Sequence, residues 1–122
     1  MISKELLSEV LNKNVDQLII DSKVIENNLS ASRSTADIAY RINYDWFYIN
    51  IHELAHKCKE WAIVNSEYTA FCTQFEKYQF NCHLYKYISI YADKSNTYTF
   101  SGDTEPEAIF KATQYIYDNL RN

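Results

Sequence analysis

Residues 50–62 read N-I-H-E-L-A-H-K-C-K-E-W-A, and the rest of the chain is organised around this stretch. Asn50 can cap the N-terminus of a helix, and Glu53, three residues later, can complete a capping box. The apolar residues have the spacing of one helix face and are Ile51, Leu54, Ala55, Cys58, Trp61 and Ala62. The stretch therefore predicts a core helix that buries Leu54 and Trp61.

The same helix contains the motif H-E-x-x-H, formed by His52, Glu53 and His56. In zinc proteases two such histidines bind the metal and the glutamate activates a water molecule. Here both histidines lie roughly 115–155° from the centre of the apolar face. Lys57 and Lys59 add positive charge beside them, which opposes cation binding. We therefore predict exposed histidines and no metal. The alternative is a minimal zinc hydrolase in which His52 and His56 bind zinc and Glu53 is the base.

Strand patterns flank the central helix. Residues 38–48 alternate with a period of two and predict a strand or a hairpin that turns at residues 43–45. Residues 68–75 and 80–91 predict two further strands, joined by a turn at residues 76–79. A turn at residues 93–96 then leads into a short last strand.

A short helix is predicted near the N-terminus, followed by a short strand within residues 15–22. The terminal helix has Thr104 as its cap, Pro106 in its first turn and Glu107 closing a second capping box. At 122 residues the chain predicts one domain, residues 1–122. The expected fold class is α+β, a small antiparallel sheet of four to five strands packed by two main helices plus a short N-terminal helix.

Composition narrows the classes of function. The net charge is −4, so the chain lacks the excess of Lys and Arg with which proteins bind the phosphates of duplex nucleic acid. No apolar run is long enough to span a membrane. Three cysteines without a C-x-x-C motif favour reduced thiols and a cytoplasmic protein, although Cys72, Cys82 and His83 could be combined into a metal cluster. No phosphate-binding loop or nucleophile motif is present, so we expect no enzyme activity and no cofactor.

Tyrosine is unusually frequent, with 11 residues in this short chain. Tyrosine is enriched at protein interfaces because it combines apolar area with a hydroxyl group. Two helices can cover one sheet face, so the remaining tyrosines are expected on the other face or its edge, with an acidic rim. The candidate binding residues are Tyr44, Asp45, Tyr48, Glu76, Tyr78, Tyr85, Tyr87, Tyr91 and Asp93.

Two segments carry a family resemblance. H-E-L-A-H-K-C-K-E-W-A at residues 52–62 and D-T-E-P-E-A-I-F-K-A at residues 103–112 resemble the two helices shared by a loose group of small phage and prophage proteins. The resemblance covers about residues 46–120. It implies a fold similar to small α/β/α phage sandwich domains and no assigned enzymatic activity.

The resemblance, the size and the charge together suggest a phage-derived, non-enzymatic binding protein in the host bacterial cytosol. The expected activity is inhibition of a bacterial defence system, of the anti-CRISPR type, by binding a nucleic-acid-handling effector protein through charge complementarity. The main alternative is a nucleotide-signal sponge, which needs Arg or Lys residues converging on a phosphate. Arg33, Arg41, Arg121 and several lysines are spread too thinly along the sequence to locate such a site. A homo-oligomer fits either role.

Overall fold

Helices and antiparallel strands both contribute to the fold, which is α+β. The computed structural model describes residues 2–19, 37–68, 70–86 and 93–121. In chain order the elements are α1 (Lys4–Leu11), β1 (Gln17–Ile19), β2 (Asp37–Ile42), β3 (Asp45–Asn50), α2 (Ile51–Asn65), β4 (Ala70–Glu76), β5 (Gln79–Lys86), β6 (Asp93–Gly102) and α3 (Glu105–Tyr115). A π-helical turn, Ile116–Leu120, follows α3.

The described strands form two sheets, whereas the sequence pattern predicted one. β1, β2 and β3 pair in that order, and β4, β5 and β6 pair in that order, all antiparallel. The physical reason lies in α2, which separates β3 from β4. Its 15 residues advance the chain by about 22 Å. The chain therefore does not return to β3 as a hairpin, and β4 starts a new sheet.

Among the connections that the structure describes, each sheet has a tight hairpin. β2 and β3 form the first hairpin, and β4 and β5 form the second. Asn43 and Tyr44 turn the first, and Lys77 and Tyr78 turn the second, which confirms the turns predicted at residues 43–45 and 76–79. The turn predicted at residues 93–96 is wrong, since β6 begins at Asp93. Asp93 pairs with Lys86 and Tyr98 pairs with Leu84, with a shift of register between these two pairs, so strand pairing on both sides of the polar segment overrides its turn preference.

The central helix has the predicted cap and largely the predicted face. The Asn50 side chain accepts hydrogen bonds from the backbone N–H groups of His52, at 2.9 Å, and Glu53, at 3.4 Å. The buried residues of α2 are Leu54, Ala55, Cys58 and Ala62. Trp61 was predicted to be buried but is only half-buried. Its ring lies at the edge of the core, 6.0 Å from the Tyr117 ring.

The terminal helix completes the core. The Thr104 hydroxyl accepts from the Glu107 N–H, as predicted, but the Glu107 carboxylate accepts from the Asp103 N–H, one residue before the cap. α3 packs against α2, β5 and β6. One cluster of buried side chains joins both sheets and the helices, and its fully buried larger members include Leu6, Leu7, Ile38, Leu54, Leu84 and Ile116.

Candidate binding surface

The first hairpin exposes a run of aromatic residues. Tyr44 at its turn is 87% exposed. Trp46, Phe47 and Tyr48 follow in β3 and remain between 37% and 41% exposed. Successive strand residues point to opposite faces, so this run covers both faces of the hairpin. Trp46 lies opposite Arg41, and Phe47 lies opposite Tyr40 with the two rings stacked at 5.7 Å. The core uses only part of this aromatic area, and the remainder faces outward.

Charged groups surround the tip of the first hairpin. The Arg41 guanidinium carbon lies 5.7 Å from the centre of the Tyr44 ring and 5.9 Å from that of Trp46. Asp16 accepts a hydrogen bond from the Asn43 N–H at 2.8 Å, which ties the turn to the segment before β1. Asp45 is exposed beside Tyr44. The tip therefore presents aromatic rings with a carboxylate next to them, while the nearby arginine already lies against the rings.

The second hairpin also ends in aromatic side chains. Tyr78 at its turn is 94% exposed and Phe75 is 62% exposed. The Phe75 ring contacts Phe80 across the strands, with the ring centres 4.9 Å apart. Glu76 is exposed, although its carboxylate faces His83. Farther from the turn, Tyr85 is half-buried beside the ring of His83.

The structure distributes the predicted binding residues over both hairpins. Tyr44, Asp45 and Tyr48 lie on the first hairpin, whereas Glu76, Tyr78 and Tyr85 lie on the second. Asp93 starts β6 opposite Lys86. Tyr87 and Tyr91 lie outside the described residues. The hairpin tips, which we define as the pairs Asn43–Tyr44 and Lys77–Tyr78 with their exposed aromatic neighbours, thus replace one sheet face as the candidate surface.

The binding residues predicted from the sequence do not include three exposed aromatic residues, Trp46, Phe47 and Phe75. A signal for the first two was present in the sequence. Three consecutive aromatic residues in one strand cannot all point to the same face, so part of the run had to face away from the core. Phe75 had no comparable signal, because its exposure depends on how far β4 extends past the helices.

The H-E-x-x-H residues lie on the outer side of α2, as predicted. His52, Glu53 and His56 are exposed, and the His56 Nε2 atom lies 2.8 Å from a carboxylate oxygen of Glu60. Both histidines line a small cleft of about 150 Å³ between α2 and α3. Glu105 also lines this cleft, but its carboxylate accepts a hydrogen bond from the Thr73 hydroxyl at 2.7 Å. Within the described residues, no three His, Cys, Asp or Glu side chains are grouped to hold a metal ion.

We predict that the purified protein contains well below one zinc per chain. The two histidines are exposed, Glu60 engages one of them, and no third ligand converges on them among the described residues. The measurement is elemental analysis after purification without chelator, on the wild type and on the His52→Ala/His56→Ala double variant. One zinc per wild-type chain that disappears in the double variant would contradict this prediction and support the hydrolase alternative.

The described cysteine thiols are buried in the core. Cys58 is fully buried, and burial raises the pKa of its thiol to about 12, although a hydrogen bond with Thr113 acts in the opposite direction. Such a thiol is a poor nucleophile. Cys82 is buried as well, on the face of β5 opposite to that of its neighbour His83. Cys82 and His83 therefore do not combine into the proposed metal cluster, because they lie on opposite faces of the strand; the side chain of Cys72 lies outside the described residues.

A hydroxyl–imidazole–carboxylate chain crosses the outer face of the second sheet. The His83 Nδ1 atom lies 2.9 Å from the Thr99 hydroxyl, and its Nε2 atom lies 3.3 Å from a carboxylate oxygen of Glu76. The sequence did not indicate this chain, because it depends on the pairing register of three strands. Both contacts of the His83 ring are exposed to solvent, and they join residues of β4, β5 and β6. These side chains therefore form a polar link between three strands.

The two described arginines that the sponge alternative considered have different surroundings. Arg41 lies against the first hairpin tip, while Arg121 pairs with Glu9 at 3.1 Å and stacks on Tyr117. Arg33 lies outside the described residues.

Comparison with known proteins gives no relatives. No protein-family model, curated protein or solved structure matches the chain. The resemblance to small phage proteins therefore stays a prediction. Across the described residues, no helix combines the length and the apolar character needed to cross a membrane.

Proposed function

We propose that this chain is a non-enzymatic, phage-derived binding protein that inhibits a bacterial defence effector. Its target would be an effector of the CRISPR type, bound at the surface that handles nucleic acid. The observation that carries the proposal is the pair of aromatic hairpin tips, where Tyr44 and Tyr78 are almost fully exposed. Monomeric proteins bury or cover large apolar side chains where they can, so clustered exposed aromatic residues favour a partner surface.

Charge supports the choice of partner class. The chain has a net charge of −4, and Asp45 and Glu76 are exposed beside the two tips. A surface that binds RNA or DNA is rich in Lys and Arg. An acidic protein is therefore steered towards such a surface, whereas an acidic surface would repel it.

The test is binding to purified CRISPR effector complexes, using wild type and a Tyr44→Ala/Tyr78→Ala variant. We expect the variant to fold and to bind more weakly by about 2 kcal/mol or more, as is usual for hot-spot tyrosines. Raising the salt concentration should mainly slow association, because exposed charges steer encounter more than they hold the complex. Circular dichroism of both proteins is the control for folding.

Two results decide against the proposal. A folded variant that binds and inhibits like wild type would show that the tips are not the interface. A wild-type protein that binds none of the effector complexes but retains a nucleotide would favour the sponge, for which Arg41 beside the rings of Tyr44 and Trp46 is the supporting observation.

A further inference from the structure

Both hairpin tips have the same unusual backbone. Asn43 and Tyr44 have φ angles of 50° and 71°, and Lys77 and Tyr78 have φ angles of 50° and 66°. Two-residue hairpin turns of this kind need positive φ at both central positions, and Gly, Asn and Asp are preferred there. Asn43 fits this preference. Tyrosine at the second position does not, because its Cβ is strained in the left-handed region.

The fold gains little from the two rings. The Tyr78 side chain is 94% exposed, and no ring contact or hydrogen bond of its side chain is seen within the described residues. Within the described part of the chain, the contact seen for the Tyr44 ring is the Arg41 guanidinium at 5.7 Å. A cation–π contact at such an exposed site is weak. At each position, therefore, glycine would relieve backbone strain, and the tyrosine ring makes few contacts that stabilise the fold.

We infer that Tyr44 and Tyr78 are the two anchor residues that insert into the partner protein, an inference that rests on the proposed function. Backbone strain concentrates at functional sites, and here the same strained residue type recurs in two hairpins of two different sheets. The two occurrences share high exposure and few contacts within the protein, which favours a shared role outside the fold.

The chemistry of the tips specifies what each anchor contacts. A tyrosine ring with a carboxylate beside it complements an arginine side chain, since the guanidinium stacks on the ring and pairs with the acid. Asp45 adjoins Tyr44 in the sequence and is exposed. Glu76 lies two residues before Tyr78, and its carboxylate, although 3.3 Å from the His83 Nε2 atom, remains exposed. Each tip therefore contacts an arginine side chain that lines a pocket on a basic surface of the partner protein. Nucleic-acid-binding proteins use such arginines to stack on bases and to hold phosphates.

Replacing each tyrosine by glycine distinguishes a role in binding the partner from a role of the ring in stabilising the fold. Tyr44→Gly and Tyr78→Gly should melt no lower than wild type, and up to about 5 °C higher, because the strain at positive φ is relieved. Each variant should bind the purified CRISPR effector complex about 30-fold more weakly or worse, as expected for a hot-spot residue. The control is Val64→Ala, which shortens a side chain that is 78% exposed on α2 without changing strain. It should bind like wild type.

The melting and binding results distinguish a failure of the anchor assignment from a failure of the proposed function. If either glycine variant melts well below wild type, the ring supports the fold and the inference is overturned. If both glycine variants bind the effector complex as tightly as wild type, the inference alone is overturned, since another surface must then hold the partner. If wild-type protein binds no effector complex, the proposed function fails and the inference fails with it.

Discussion

Leu54→Ala is expected to reduce the free energy of unfolding by about 2 to 5 kcal/mol. The Leu54 side chain is fully buried at the centre of the cluster that joins α2 to both sheets. Truncation removes its apolar contacts and leaves a cavity that rigid helix and sheet neighbours fill only in part. The measurement is equilibrium denaturation with urea, followed by circular dichroism.

Three further variants serve as matched controls on the same helix. His52→Ala and His56→Ala should each cost less than about 0.5 kcal/mol, because both side chains are exposed. Trp61→Ala should cost an intermediate amount, about 1 to 3 kcal/mol, since its ring is only half-buried and its main ring contact is Tyr117. Equal losses for Leu54→Ala and His56→Ala would contradict the assignment of the buried and exposed faces of α2.

Gly102→Val is expected to destabilise the protein by about 1 to 3 kcal/mol. Gly102 is the one glycine of the chain, and it ends β6 just before α3. A Cβ atom at this position would lie 2.9 Å from the backbone nitrogen of Ala108 and 2.9 Å from the Glu107 Cβ. The backbone nitrogen cannot rotate away like a flexible side chain, so the first turn of α3 must shift.

The loss from Gly102→Val should appear as a lower midpoint of thermal unfolding. Ser101→Ala, one residue earlier, is the control. It removes a hydroxyl that donates to Asn81 at 2.6 Å, which is worth about 1 kcal/mol. A valine variant as stable as wild type would show that α3 does not approach β6 as closely as described.

Local features of the fold were predictable because local interactions fix them. Asn50 and Thr104 cap α2 and α3 through bonds to backbone N–H groups only two or three residues away. The turn at residues 43–45 and the alternation around it likewise depend on neighbouring residues alone. Such signals are present in the sequence whatever the rest of the chain does.

Features set by distant parts of the chain were not predictable in the same way. The division into two sheets depends on where the chain lies at the end of α2. The half-buried state of Trp61 depends on the position of Tyr117. The link from Thr99 through His83 to Glu76 requires the register of three strands. For the candidate surface, the excess of tyrosine was visible in the composition, but the positive φ angles of Tyr44 and Tyr78 were not.

If this protein occupies the nucleic-acid-binding surface of a defence effector, as we propose, it should compete with nucleic acid for that surface. The measurement is competition between this protein and a single-stranded target oligonucleotide for a purified CRISPR effector complex. We expect mutually exclusive binding, so the apparent Kd of the oligonucleotide should rise linearly with the concentration of added protein. The Tyr44→Gly/Tyr78→Gly variant should lose this effect. Oligonucleotide binding that is unchanged at saturating protein, or a complex that holds both at once, would contradict the claim.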